Sequence, residues 1–76
     1  MNAKGRKELQ SYVDKLEEIK SCLETIQEDE TEKLDNMPEG LQESERGEQI
    51  QNGIENLESA VSSLEDAIDY LNDAME

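Results

Sequence analysis

The sequence predicts an all-α protein, an antiparallel two-helix hairpin of coiled-coil type that dimerises into a four-helix bundle. Three observations predict it. Apolar residues recur at alternating steps of three and four on both sides of a single break that holds the only proline. The composition, 37% charged with two tyrosines as its only aromatic residues, suits long helices better than a compact core, which normally uses larger anchors. Finally, the charged clusters at the two chain ends complement one another only if the helices run antiparallel. The 76 residues form one small domain at most, whose core is marginal without disulfides, metal or oligomerisation, leaving very regular helix packing or self-association as the routes to stability.

The first helix is expected from about residue 4 to about residue 35. Leu9, Leu16 and Leu23 make one row, and Tyr12, Ile19 and Ile26 a second, giving three consecutive heptads with both seam positions apolar. Val13 and Leu34 widen the stripe. Glu30 and Lys33 take the next seam positions, so the seam weakens toward the break. Cys22 stands beside the seam, where a small packing role is expected, with a disulfide across a dimer as the oxidised alternative.

The turn, about residues 36–45, has ready punctuation. Pro38 disfavours helical geometry at Met37, Gly40 permits a positive φ, and Ser44 caps the next helix with Glu45 in its first turn. Met37 and Leu41 are expected to plug the end of the core. The segment exceeds the roughly 2–8 residues that bundle connections use. Asn36, with Glu39 three residues on, offers the cap of a short extra turn. Arg46 is the one cation nearby after Lys33. Pairing with Glu43 or Glu39 is the expected use for it, and an anion at the helix N-terminus is the alternative.

The second long helix, about residues 46–75, is more regular. IENLESA, VSSLEDA and IDYLNDA repeat a heptad. Ile50, Leu57, Leu64 and Leu71 form one row, and Ile54, Val61, Ile68 and Met75 the adjacent row. Between them on the same face run Gly53, Ala60, Ala67 and Ala74, predicted to form a groove that another helix enters closely. Helix propensity explains the alanines but not Gly53, which costs roughly 1 kcal/mol against Ala in mid-helix. The seven-residue spacing predicts a left-handed supercoil. The stripe is wider than one partner helix needs, which is why a dimer of hairpins is expected.

Lys4, Arg6 and Lys7 open the first helix, while Asp66, Asp69, Asp73 and Glu76 close the second. Each cluster opposes its own helix dipole, and an antiparallel hairpin brings the two together. Elsewhere acid dominates. Residues 24–45 hold nine acidic side chains and one lysine, and no cation follows Arg46. The net charge of −14 disfavours direct contact with nucleic acid or an anionic membrane and favours a basic protein surface. No apolar run reaches the length of a signal peptide or a membrane span. With one thiol and no disulfide, a cytoplasmic location is expected.

The run NMPEGLQESERGE, followed by leucine–acid–x–alanine–isoleucine heptads, resembles a family of small acidic helical-hairpin proteins encoded by bacterial phages and prophages. In that family an Asn-Met-Pro-Glu-Gly-Leu-Gln-type turn joins two acidic helices. The resemblance covers about residues 34–74, with the first helix similar in style. It implies a short phage-encoded accessory protein, acting in the bacterial host cell, and brings no catalytic or binding residue with it.

No enzyme is expected. The chain has no histidine, no nucleophile–base arrangement, no phosphate-cradling glycine loop and no ligand cluster for zinc. Residues 29–40 are acidic but lack the ligand pattern, central glycine and closing glutamate of a calcium loop. Neither metal nor cofactor is expected. Three functions remain. The first is a phage-type interaction protein that mimics the charge of a nucleic acid and inhibits a host protein, foremost one of an anti-phage defence system. Glu55, Glu58, Glu65, Asp66, Asp69 and Asp73 are its candidate contacts, together with the turn residues Asn36, Met37, Pro38, Glu39, Gly40, Leu41, Gln42 and Arg46. The second is an oligomer that sequesters a small ligand such as a nucleotide signal, using Arg46 or the Lys4–Lys7 cluster. The third is a self-assembling structural subunit.

Overall fold

The computed structural model describes residues 1–76 as three helices: α1 (Ala3–Asp35), α2 (Glu39–Gln42) and α3 (Glu45–Ala74). α1 starts where Asn2 turns its side chain back, its Oδ1 accepting from the Gly5 amide at 2.7 Å. It ends at Asn36, whose amide donates to Glu32 O at 3.0 Å. α3 is capped by Ser44, whose hydroxyl accepts from the Gly47 amide at 3.4 Å, with Glu45 and Glu48 in the first turn as the helix dipole favours.

α1 and α3 pack antiparallel along most of their length. Lys20 Nζ meets Glu65 Oε1 at 3.4 Å, and Gln27 Nε2 donates to Glu58 Oε1 at 3.3 Å. These two contacts fix the register. The result is a rod measuring 58 × 15 × 12 Å, with a radius of gyration of 17.2 Å, where a compact domain of this length would have about 11 Å. Such a rod has little interior. Only Val13, Gly47, Val61 and Ile68 are buried.

The seam differs from the one expected. On α1 the Leu9, Leu16 and Leu23 row does face α3. The second inward row is Val13, Lys20, Gln27 and Leu34, all buried or half-buried, and Val13 is 1% exposed. Tyr12, Ile19 and Ile26 are turned aside, each about half exposed. The reason lies on α3. Its bulky rows, Ile50–Leu71 and Ile54–Met75, are four residues apart and therefore adjacent, rotated by about 40°. A seam running through both rotates α1 so that the Val13 row comes in and the Tyr12 row goes out. The small row of Gly53, Ala60, Ala67 and Ala74 does not lie between the bulky rows either. It runs along the edge of the seam, and a Cβ built on Gly53 meets nothing within 4 Å. α1 does not enter that groove.

The connection from Asn36 to Ser44 corrects further expectations. The extra turn exists as α2, but Pro38 stands at its cap without a side-chain hydrogen bond, and Asn36 closes α1 instead. No residue has a positive φ, and Gly40 lies inside α2. Met37 is half-buried, yet Leu41 is 52% exposed and plugs nothing. Gln42 secures the corner. Its Nε2 donates to Leu34 O at 3.0 Å and to Met37 O at 3.1 Å, while its own carbonyl accepts from Gln51 Nε2 at 3.2 Å.

Candidate functional site

With so little interior, chemistry is confined to surfaces. Besides the exposed acids on the outer side of α1, among them Asp14, Glu17, Glu18, Glu28 and Glu32, the heptad frame gives three surfaces of interest: an acidic ridge, the turn end and one acid-poor flank.

The ridge is the outer side of α3. Glu45, Glu48, Glu55, Glu58, Glu65, Asp66, Asp69 and Asp73 are all exposed, and all fall in the three heptad rows that face away from the small-residue row. The six ridge residues expected from the sequence are therefore together on one surface. Two of them are also tied inward, since Glu58 accepts from Gln27 and Glu65 pairs with Lys20. The chain has one other ion pair, Lys33 to Glu30 at 2.9 Å within α1. The basic cluster at the start of α1 forms none with the acidic end of α3. Arg6 instead donates to Met1 O at 2.8 Å, so the end clusters attract only through space.

The turn end gathers Asn36, Met37, Pro38, Glu39, Gly40, Leu41, Gln42 and Arg46, but in unlike roles. Asn36 and Gln42 hold backbone in place. Glu39, Gly40 and Leu41 form an exposed tip. Arg46 is exposed and pairs with neither Glu43 nor Glu39. It borders an open groove of about 1110 Å³, together with Ile26, Glu30, Lys33, Glu45, Ile50 and Gly53.

That groove defines the third surface. It brings Ile26 and Lys33 of α1 to the same side as Gln49, Gly53 and Asn56 of α3. The same heptad rows continue along the rod as Tyr12 and Ile19 on α1, and Ala60, Ala67 and Ala74 on α3. Lys15 closes the far end, its Nζ lying 5.3 Å from the Tyr12 ring centroid. On the opposite side the two helices are joined by the Lys20–Glu65 and Gln27–Glu58 contacts.

Sequence periodicity missed Gly47, Lys20 and Gln27. Gly47 is buried because α3 starts directly against α2; a glycine in the first turn after a tight corner was its signal. Lys20 and Gln27 were signalled by their seven-residue spacing from Val13 and Leu34, with Glu65 and Glu58 opposite.

No group of three or more acidic or cysteine side chains is placed to hold a metal ion, and no helix is long and apolar enough to cross a membrane. Comparison with known proteins returns no match: no family model, no curated protein and no solved structure.

Proposed function

We propose that this chain is a non-enzymatic acidic interaction protein of phage or mobile-element type. It dimerises into a four-helix bundle and occupies a basic, nucleic-acid-facing surface of a host protein in the bacterial cytoplasm. A component of an anti-phage defence system is the target that best suits such a gene, and the resemblance of residues 34–74 to phage-encoded hairpins supports the origin. The observation that carries the reading is the continuous acidic ridge of α3, exposed along its length and answered by one cross-helix lysine.

The physics is that of a charged rod. A net charge of −14 spread over 58 Å is about one negative charge per 4 Å, and an overlapped dimer doubles this to about one per 2 Å, close to the ~1.7 Å spacing of duplex DNA. A protein surface built to receive a nucleic-acid backbone attracts such a rod over a long range and speeds its encounter. Affinity then falls steeply as salt rises. Glu55, Glu58, Glu65, Asp66, Asp69 and Asp73 supply the charge, and the exposed Leu41 supplies an apolar contact at the tip.

The test is a pull-down from host lysate over a salt series, followed by displacement of DNA from the retained protein. Replacing Glu55, Asp66, Asp69 and Asp73 by their amides should abolish both, while Arg46→Ala leaves both intact. Retention unaffected by the amide set would sink the charge-mimicry reading. Arg46, the unpaired cation of a groove that also holds the Lys33–Glu30 pair and Glu45, supports a second reading, capture of a small anionic ligand. In that case Arg46→Ala abolishes a bound mass detected by native mass spectrometry, and the amide set does not. If the chain is only a structural subunit, neither set of changes alters its assembly.

A further inference from the structure

Building on the dimer in the reading above, we infer that the acid-poor flank is where the second copy docks. Each α1 lies along the small-residue row of the partner's α3, with both turns at the same end. Four observations lead there.

The hairpin exposes 5691 Å², whereas a folded monomer of 8.6 kDa exposes about 4,700 Å². The excess of roughly 1,000 Å² comes with the elongated shape and is surface available for association. The large apolar residues left half exposed on α1 are Tyr12, Ile19 and Ile26, and all three stand on this flank.

Charge is segregated. Of the 21 acidic residues, only Glu8 and Asp29 fall in the four heptad rows that make the flank, whereas Lys15, Lys33 and Arg46 do. On α3 these rows read Arg46, Gln49, Gly53, Asn56, Ala60, Ser63, Ala67, Tyr70 and Ala74, with no acid at all. Glu30 and Glu45 reach the edge of this flank at its turn end, but in a chain of charge −14 it is still the long face with the fewest acids, where two copies meet with the least repulsion. The opposite flank is already closed by polar contacts between α1 and α3.

Size is complementary. Stepping from the Lys20–Glu65 and Gln27–Glu58 contacts places Ile19 level with Ala67 and Ile26 level with Ala60, within a residue's rise of about 1.5 Å. A two-fold axis along the rod therefore sets each isoleucine of one copy over an alanine of the other. All four helices then become antiparallel to their neighbours, at even spacing. A two-fold across the rod would instead oppose isoleucine to isoleucine and alanine to alanine, and interaxial distance follows side-chain size, so the bundle would splay. In the favoured arrangement Tyr70, 74% exposed in the hairpin, comes level with the partner's Lys15.

Finally, the flank has enough area. From Gly5 to Lys33 it runs about 42 Å, and with a width of two helices it offers roughly 700 Å² per copy, against about 800 Å² in a standard stable interface.

The experiment mixes two full-length variants, both carrying Cys22→Ser, one with Ile19→Cys and the other with Ala67→Cys, under mild oxidation. A disulfide-linked heterodimer is expected, because the two positions face each other across copies. Ile19→Cys linking mainly to itself would overturn the arrangement, and a monomer in native mass spectrometry of the unaltered chain at 100 µM, about a hundred times a micromolar Kd, would overturn the interface. As a second measurement, Ala60→Glu and Ile19→Glu should weaken dimerisation at least 100-fold, and Ser62→Glu on the outer face should change it less than threefold. Equal weakening by all three would refute the assignment. None of these readouts uses a host protein, so a dimer that binds no basic partner removes the proposed function and leaves the interface standing.

Discussion

Gly47→Ala isolates the closest approach in the fold. An added Cβ would lie 2.1 Å from Gln42 O, 2.6 Å from Gln42 C and 2.7 Å from Leu41 O. All three are backbone atoms, and a carbon–oxygen contact needs about 3.3 Å, so the α2 corner must retreat by roughly 1.2 Å. That movement strains the Gln42 hydrogen bonds to Leu34 O, Met37 O and Gln51. Overpacking of this kind costs about 1–3 kcal/mol, against a gain of at most ~1 kcal/mol in helix propensity. A net loss of about 1–2 kcal/mol lowers Tm by roughly 5–15 °C for a chain of this size. The assay is thermal unfolding by circular dichroism at one fixed protein concentration, since association shifts Tm. Gly53→Ala is the control, because its Cβ meets nothing within 4 Å and it keeps the propensity gain, raising Tm by a few degrees, roughly 0.5–1 kcal/mol. If Gly47→Ala raises Tm as Gly53→Ala does, the close approach of α2 to α3 is wrong.

Val13→Ala removes the most buried side chain in the hairpin, 1% exposed, and should cost about 2–3 kcal/mol from lost transfer energy and the residual cavity; urea titration should show the midpoint fall. Lys20→Leu replaces a half-buried seam residue whose ion pair with Glu65, at 3.4 Å, is worth under about 1 kcal/mol. By continuing the Val13 row it should raise stability by roughly 0.5–1 kcal/mol in the same titration. Raising NaCl from about 20 mM to about 500 mM should raise Tm, because screening relieves repulsion within a chain of charge −14. A fall in Tm would mean that ion pairs outweigh repulsion.

Heptad counting found what depends on side-chain type at regular spacing. Both long helices, their antiparallel sense and the Ser44 cap were legible because each is dictated by neighbours a few residues away. The rotation of α1 about its own axis was not. It is fixed by which two rows of α3 are bulky, and thus by a comparison between residues about 45 apart, as Lys20 and Glu65 are. That single rotation moved Val13 into the seam and Tyr12, Ile19 and Ile26 out of it. Gly47 was missed for a related reason. Its burial comes from the path of the backbone at Leu41 and Gln42, which no periodicity encodes. Gly53, which looked like the site of close approach, faces open space in the hairpin. The acidic ridge needed no tertiary information, because every acid on α3 falls in rows that any seam through the Ile and Leu positions leaves outside.

The acidic ridge and the acid-poor flank answer one physical problem. A rod carrying −14 with three buried apolar side chains is driven apart by its own charge and held by almost no core. Doubling it doubles the charge, so self-association helps only if the contact excludes acid and packs closely. Small side chains permit the close approach, and the row of Gly53, Ala60, Ala67 and Ala74 stands beside the only long unacidic strip on the surface. Concentrating the acids on the remaining faces then has a consequence for recognition. The docked pair would present acid on both outer sides and little at the joint, with roughly twice the linear charge density of either copy. Salt should act oppositely on the two contacts, strengthening the joint between copies and weakening attachment to a basic partner. Measuring dimer and partner affinities over one salt series separates them. Slopes of opposite sign support this division of labour between faces, and a dimer that dissociates as salt rises refutes it.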